Sequence, residues 1–171
     1  VATNADDGVL WVAETQGSRV RRYSRTGAPL GALPLSLPSR VAVDSTTGQA
    51  WVTSFDPGWL WRVSPAMTVL DSLPLSGPIG IALDWRRRIA WIAEAPAGRV
   101  AAIDMDTRVV KFRIGGLAGP IDAAVDLDRG EAWIVARDAG RVYRYSSTGV
   151  LRGSVGGLGE PYEVRLDRGR L

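Results

Sequence analysis

The sequence predicts an all-β chain that is built from repeated four-stranded units. Three observations lead to this prediction: a repeat of about 40 residues, short apolar segments between turn residues, and no sustained helical period. Short runs rich in Val, Ile and Trp and bounded by Gly, Pro, Asp and Ser are typical of strands and hairpins. With 171 residues and 46% hydrophobic content, the chain can fill a core.

The repeat is visible in four separate markers. Trp11, Trp51, Trp91 and Trp133 are spaced 40, 40 and 42 residues apart. The other three markers are a proline, an acidic residue and an aliphatic residue: Pro38, Pro78, Pro120 and Pro161; Asp44, Asp84, Asp126 and Asp167, with Asn4 in the first unit; and Val20, Leu60, Val100 and Val142. We therefore divide the chain into units at about 1–38, 39–78, 79–120 and 121–161, with a partial unit at 162–171.

Each unit contains four predicted strands in a fixed order. The first strand follows the proline, at 41–44, 81–84, 123–126 and 164–167. The second strand contains the tryptophan, at 10–13, 50–53, 90–93 and 132–135, and the third lies at 20–23, 60–63, 100–103 and 142–145. A looser fourth strand follows a turn such as the one at 24–27 or 146–149.

A unit of about 40 residues with four strands is the blade of a β-propeller. A helical solenoid can have a similar period, but the frequent Gly and Pro residues disfavour it. Four repeats plus the first strand of a fifth predict an arc of a larger ring. Two alternatives are self-association of two chains into an eight-bladed ring, and a four-bladed ring in which the C-terminal strand replaces the N-terminal one.

Several segments carry a family resemblance. The run LWVAE at 10–14, followed by SRVRRYS at 18–24, resembles the NHL and YVTN type of β-propeller repeat. The strand entries GPIGIALD at 77–84 and GPID at 119–122 are similar to that family, as is the passage IDMDTRVV at 103–110. The resemblance implies rings of six or seven blades, a loop face that binds ligands, and an extracytoplasmic bacterial location. The resemblance covers the whole chain, and the family that it indicates includes both enzymes and interaction modules.

The chain contains no Cys and no His. This excludes a disulfide framework, a thiolate or imidazole metal site and a Ser-His-Asp triad. We therefore predict no catalytic residues, no resident metal and no cofactor, and we favour a non-enzymatic scaffold that binds a protein, glycan or surface component. The alternative, implied by the resemblance, is a lactonase or lyase with a metal at the channel mouth.

The basic residues are dispersed along the chain. The net charge is +3, and Lys111 is the only lysine among 21 basic residues. Because nucleic-acid proteins usually concentrate positive charge on one face, this pattern does not favour a nucleic-acid partner. We expect the Arg86–Arg88 cluster to be a solvated hairpin turn. No apolar run is long enough to span a membrane.

One candidate site lies two residues after each repeated proline. These positions hold Arg40, Gly80, Asp122 and Glu163. In a propeller they are expected to ring the mouth of the central channel, where Asp122 and Glu163 could bind a cation or ligand through oxygen. The alternative is polar side chains that contact channel water.

Acidic residues also recur in the loops after the second strands and at the ends of the first strands. The loops after the second strands carry Glu14, Asp56, Glu94 and Asp138, but catalysis by paired carboxylates needs two of them close together. The four acidic markers after the first strands are instead expected to accept hydrogen bonds from the backbone of the following turn.

The second unit differs most from the others. Phe55, Trp59 and Trp61 place three aromatic residues in one loop and the start of the next strand. The position of Trp59 holds arginine in the other units, namely Arg19, Arg99 and Arg141. Exposed aromatic residues are typical interface anchors, so we predict a partner contact at Phe55 and Trp59, with local packing under the loop as the alternative. The four repeated tryptophans are expected to pack between blades.

Overall fold

The computed structural model describes residues 1–4 and 7–166, and all regular secondary structure in these residues is β-strand. The first two sheets consist of β1 (Ala2–Thr3), β2 (Leu10–Glu14), β3 (Arg19–Tyr23) and β4 (Pro29–Pro34), then β5 (Pro38–Val43), β6 (Ala50–Ser54), β7 (Trp59–Val63) and β8 (Val69–Pro74). The third and fourth consist of β9 (Pro78–Asp84), β10 (Ile89–Glu94), β11 (Arg99–Asp104) and β12 (Val110–Ile114), then β13 (Pro120–Asp126), β14 (Glu131–Ala136), β15 (Arg141–Ser146) and β16 (Leu151–Val155). Strands are neighbours in chain order within each four-stranded sheet, which confirms the predicted all-β repeat.

The four sheets share the same strand geometry. The register between the third and fourth strands shifts at one repeat position, at Arg22/Tyr23, Arg62/Val63, Ala102/Ile103 and Arg144/Tyr145. Such a bulge increases the local twist of the strand pair. The repeated sequence therefore specifies the irregularity of the sheets as well as their strands.

The chain divides into two compact units, and the division falls within β9. The first unit is Val1–Ile81, and its core packs Trp11 and Val20 of the first sheet with Val41 and Val52 of the second. The second unit is Ala82–Leu171, and its core packs one face of the third sheet with one face of the fourth. Burial of these apolar faces supplies the main stabilising contribution in each unit.

Inner strands and fourth strands differ in burial. Strand β10 is buried at all six of its residues, whereas β16 is exposed at four of five. Fourth strands are edge strands, with one row of backbone groups unpaired within the sheet, and few of their side chains pack against another sheet. This explains why the fourth strand is the least regular one in the sequence.

The predicted opening strand of a fifth unit does not form in the described residues. Residues 161–166 have no regular secondary structure, and Asp167 lies outside the described part of the chain. Each of the other first strands pairs with a second strand that follows it, and that pairing is what completes a ladder. In the first sheet, the place of the first strand is held by β1, which pairs with β2.

Candidate functional site

The aromatic loop of the second sheet, residues 54–61, connects β6 to β7. Phe55 lies in the turn with 46% of its surface exposed, and Trp59 begins β7 half-buried. The Trp59 and Trp61 rings are 5.6 Å apart at 35°, and the Trp61 indole N–H donates to Ser54 Oγ at 3.1 Å. Trp61 packs against the core of the first unit. The loop therefore has one aromatic fixed in the core and two that reach solvent.

Two other sheets place an ion pair where the aromatic loop has Ser54 and Trp59. Glu14 pairs across the strands with Arg19, and Glu94 pairs with Arg99. In the second sheet the same cross-strand positions hold Ser54 and Trp59. This exchange of an ion pair for an indole removes charge from the end of the hairpin and leaves an apolar surface.

The carboxylates of Glu14 and Glu94 form ion pairs with arginines of their own sheets. Arg99 Nε and Nη2 donate to the fully buried Glu94 at 2.7 and 3.1 Å, and Arg113 Nε lies 3.7 Å from it. The bond to Glu94 raises the pKa of Arg99. Glu14 accepts from Arg19 at 2.5 Å and lies 3.0 Å from Arg21. These groups balance charge within their own sheets.

Asp122 and Glu163 meet at an arginine. Asp122 is 2% exposed, and its Oδ2 accepts from Val164 N–H and from Arg165 Nη1, both at 3.1 Å. The exposed Glu163 pairs with Nη2 of the same Arg165. A guanidinium therefore takes the position that the sequence suggested for a bound cation. Among the described residues, no group of three or more acidic side chains is arranged to hold a metal ion.

Arg165 is the site residue that sequence reasoning missed. Its position is not one of the four repeat markers, so the repeat alone did not identify Arg165 as a candidate site residue. The sequence signal that could have found it is the spacing of Glu163 and Arg165, which places opposite charges two residues apart.

Arg40 and Gly80 occupy the predicted strand entries. Arg40 is half-buried in β5, and its backbone N–H donates to Thr53 Oγ1 at 3.2 Å. Thr53 Oγ1 in turn donates to the backbone oxygen of Ile79 at 2.7 Å, next to the buried Gly80. Arg40 and Gly80 belong to the first compact unit and Asp122 to the second, so a common ring of these positions stays a prediction.

The acidic markers after the first strands accept hydrogen bonds from the next turn, as predicted. Asp44 accepts from Thr46 N–H at 3.0 Å, and Asp84 from Arg87 N–H at 2.9 Å. Asp126 accepts from the N–H groups of Asp128 and Arg129, both at 3.0 Å, and the Arg129 backbone bond is the main cause of its lowered pKa. These residues are turn-forming rather than ligand-binding.

The arginine cluster at 86–88 contacts protein groups rather than only solvent. Arg87 Nη1 donates to the backbone oxygen of Leu127 at 2.8 Å, and Arg86 pairs with Asp128. Arg88 Nε lies 3.0 Å from Asp106. The expectation of a solvated turn is therefore wrong in part, because the neighbouring hairpin supplies acceptors for the guanidinium groups.

No family model and no curated protein sequence matches the chain. Solved structures do match it. Virginiamycin B lyase from Staphylococcus aureus aligns with a TM-score of 0.81 at 18% identity, over 94% of this chain and 57% of the lyase chain. Hydrazine synthase from Kuenenia stuttgartiensis gives 0.81 at 16%, over 90% and 47%, and Sqt1 from Saccharomyces cerevisiae gives 0.75 at 13%, over 89% and 45%.

These likenesses define the class of the fold. The four sheets are β-propeller blades, as the repeat predicts, and at such identities the likeness extends to the fold alone. The chain spans about half the length of the chains that it matches.

Proposed function

We propose that this chain is a non-enzymatic β-propeller binding module that contacts a protein or glycan through Phe55 and Trp59. The observation behind the proposal is the aromatic loop itself, in which Ser54 and the half-buried Trp59 replace the Glu–Arg ion pair of sister blades and the adjacent Phe55 is exposed. Large aromatic side chains contribute most of the binding energy at interfaces, and Trp59 is already ordered by its contact with Trp61.

The finer assignment within this proposal is an NHL or YVTN type of repeat in an extracytoplasmic location. Its support is the resemblance of the strand runs at 10–14 and 77–84. Arg40 stays in the proposal as a polar contact in the same compact unit as the aromatic loop, and Asp122 and Glu163 stay in it as a separate polar contact on the second unit. Among the described residues, no helix is long and apolar enough to cross a membrane.

A lyase activity is the second candidate, and the likeness to virginiamycin B lyase favours testing it. That enzyme is inactivated when one of its histidines is replaced by alanine. This chain contains no histidine, and its Asp122 and Glu163 carboxylates pair with Arg165. These observations support binding over catalysis. Incubation with quinupristin, followed by liquid chromatography and tandem mass spectrometry, is expected to show no product; the appearance of a product would overturn the non-enzymatic proposal.

The binding proposal is tested with Phe55→Ala and Trp59→Ala. Arrays of oligosaccharides and of peptides identify ligands of the unmodified chain, and each purified ligand is then titrated calorimetrically. We expect each substitution to weaken binding about tenfold or more, since anchor truncation costs roughly 2 kcal/mol.

Val69→Ala is the matched control for this experiment. Val69 is an exposed apolar residue on β8 of the same sheet, outside the aromatic loop. Its substitution should leave affinity unchanged. Unaltered binding by both aromatic variants, with folding intact, would remove Phe55 and Trp59 from the binding site.

A further inference from the structure

The turn between β6 and β7 places an aspartate among the aromatic residues of the proposed binding site. Asp56 lies between Phe55 and Trp59 in the sequence, and both Phe55 and Asp56 are exposed. Among residues 1–4 and 7–166, no group donates a hydrogen bond to the Asp56 carboxylate or forms an ion pair with it. An exposed carboxylate is stable in water without a partner, so the equivalent turn of another blade shows whether this one is unusual.

The fourth blade contains the same turn, and there the aspartate has an arginine partner. Asp138 occupies the repeat position of Asp56, and Arg137 Nε donates to Asp138 Oδ1 at 3.0 Å. Arg141 begins β15 at the repeat position where Trp59 begins β7. The aligned runs are ARDAGR at 136–141 and SFDPGW at 54–59. The second blade therefore retains the aspartate of this turn but has an aromatic residue in place of each arginine.

Neither arginine in the strands of the second sheet shares a face with Trp59. Successive side chains of a strand point to opposite faces, so Arg62 lies on the other side of β7 from Trp59. Arg40 lies opposite Thr53. Thr53 lies opposite Leu60, which shares a face with Arg62. The aromatic side of the loop therefore receives no cation from the strands of its own sheet.

Hydrogen bonds at both ends of the turn hold the loop backbone in place. The backbone N–H of Phe55 donates to Ser39 Oγ at 3.3 Å. The backbone N–H of Leu75 donates to the backbone oxygen of Gly58 at 2.9 Å. Groups that are already ordered lose little conformational entropy on binding, so a ligand that fits this loop meets a preformed site.

Arginine stacked on indole is a contact that this chain forms repeatedly. A planar guanidinium stacks on an aromatic face and also donates two parallel hydrogen bonds to a carboxylate, which a lysine ammonium does not match. The guanidinium carbons lie 5.3–5.6 Å from the indole centroids in three pairs, Arg22 over Trp11, Arg86 over Trp85 and Arg144 over Trp133. A ring next to a carboxylate is therefore suited to an arginine side chain.

We infer that the aromatic loop binds an arginine side chain of a partner protein, which rests on the proposed function and names its partner class. The incoming guanidinium stacks on the Trp59 indole, contacts Phe55 and donates to the Asp56 carboxylate. The partner thus supplies the cation that the fourth blade carries in its own turn as Arg137. A neutral glycan can stack on the same rings, but it does not bring the positive charge that complements Asp56.

The test presents the 171-residue chain with an array of peptides that have one central arginine between neutral, varied flanks. Parallel peptides carry citrulline or leucine at the centre, and citrulline has nearly the shape of arginine without its charge. We expect the array to retain arginine peptides in preference to their leucine counterparts. In calorimetric titration of the retained peptides, exchange of arginine for citrulline should weaken binding about tenfold, because the ion pair and the cation–π contact are both lost.

Asp56→Asn isolates the ion pair. We expect it to weaken binding of an arginine peptide about fivefold and to leave the citrulline peptide unchanged, since only the charged side chain depends on the carboxylate. Added salt should weaken the arginine peptide less in this variant than in the unmodified chain. Asp138→Asn is the matched control, because that aspartate holds the same repeat position and already pairs with Arg137; its binding should not change.

Trp59→Arg tests the aromatic contact with the residue type that the three sister units carry at this position. The blade frame accommodates arginine there, so native circular dichroism should persist. Binding of arginine peptides should fall at least tenfold, because the ring is lost and a resident guanidinium repels the incoming one.

The outcomes separate this inference from the proposed function. The arginine assignment is overturned by equal loss of arginine and citrulline peptides in Asp56→Asn, by no loss in that variant or in Trp59→Arg, or by retention of leucine peptides or oligosaccharides in place of arginine peptides. The proposed function still stands in those cases if Phe55→Ala and Trp59→Ala weaken binding of whatever ligand is retained. Full affinity in both alanine variants would overturn the inference and the proposed function together.

Discussion

At the scale of single residues, the clearest feature is the position that ends each second strand. It holds Glu14, Ser54, Glu94 and Ala136, and the residue opposite changes with it. Glutamate faces arginine, serine faces Trp59, and alanine faces Arg141, which instead donates to Ser154 Oγ at 2.7 Å. The same repeat position therefore forms an ion pair in two blades and lies opposite an aromatic residue in another.

Glu94→Gln is predicted to destabilise the fold by about 2 kcal/mol. The substitution leaves Arg99 and Arg113 beside a fully buried neutral amide, and breaking a buried pair is costly. Arg99 retains some solvent contact, so the cost falls below that of a fully buried pair. Urea unfolding measures it.

Glu14→Gln is the matched control at the same repeat position. The Glu14 side chain is 26% exposed and Arg19 is 41% exposed, so solvent screens the pair. Its removal should cost less than about 1 kcal/mol. Equal losses in the two variants would show that burial of Glu94 does not set the strength of its ion pair.

At the scale of elements, the turn between the second and third strands recurs with one hydrogen bond. A leucine N–H of the following segment donates to the backbone oxygen of the turn residue, as in Leu35 to Ser18, Leu75 to Gly58, Leu117 to Gly98 and Leu158 to Gly140. The turn residue has positive φ in all four blades, and in three of them it is glycine. This bond joins the turn to the segment after the fourth strand and so fixes the loop end of each blade.

Gly58→Ala is predicted to destabilise the second blade by about 2 kcal/mol. Gly58 has φ 88°, and a Cβ there would lie 2.5 Å from the Leu75 backbone oxygen. Both the left-handed conformation and the contact oppose a side chain. Thermal unfolding measures the loss, and ligand titration should show weaker binding because Trp59 follows directly. Gly115→Ala, with open space around its Cβ, should change neither; a neutral Gly58→Ala would contradict this account of the turn.

At the scale of the whole molecule, polar bonds between neighbouring sheets accompany apolar packing in each compact unit. In the first unit, Thr15 Oγ1 donates to the backbone oxygen of Pro38 at 2.7 Å. In the second unit, Arg87 donates to the backbone oxygens of Leu127 and Asp128 at 2.8 and 3.3 Å. Backbone acceptors make these bonds independent of the side chain on the partner strand, which suits a repeat whose side chains vary.

Arg87→Ala is predicted to lower the free energy of unfolding of the second unit by about 1 kcal/mol. It removes a charged donor to two backbone oxygens of the neighbouring hairpin, while partial exposure of the guanidinium reduces the effect. Hydrogen exchange of the amides in β13 and β14 should report the loss locally. Arg129→Ala, which removes a 71%-exposed pair within one hairpin, should alter exchange little; the reverse order would contradict the inter-sheet role.

The sequence by itself determined the class of fold, the strand order and the turn role of Asp44, Asp84 and Asp126. These features are local or periodic: a strand follows from a short apolar run, and an aspartate turn from hydrogen bonds within a few residues. Likewise, the replacement of arginine by Trp59 is visible in the sequence, because the other units of the repeat show which residue type occupies that position.

Only the tertiary structure decided which side chains pair across strands and how deeply each of the repeated tryptophans is buried. The pairing of Asp122 with Arg165, and the burial of Glu94 beside Arg99, depend on strand register and on distances in space. The sequence treats Trp11, Trp91 and Trp133 as equivalent, yet Trp11 and Trp91 are each 1% exposed within packed cores, whereas Trp133 is half-buried. Burial is a property of the contact between sheets, so no single unit of the repeat encodes it.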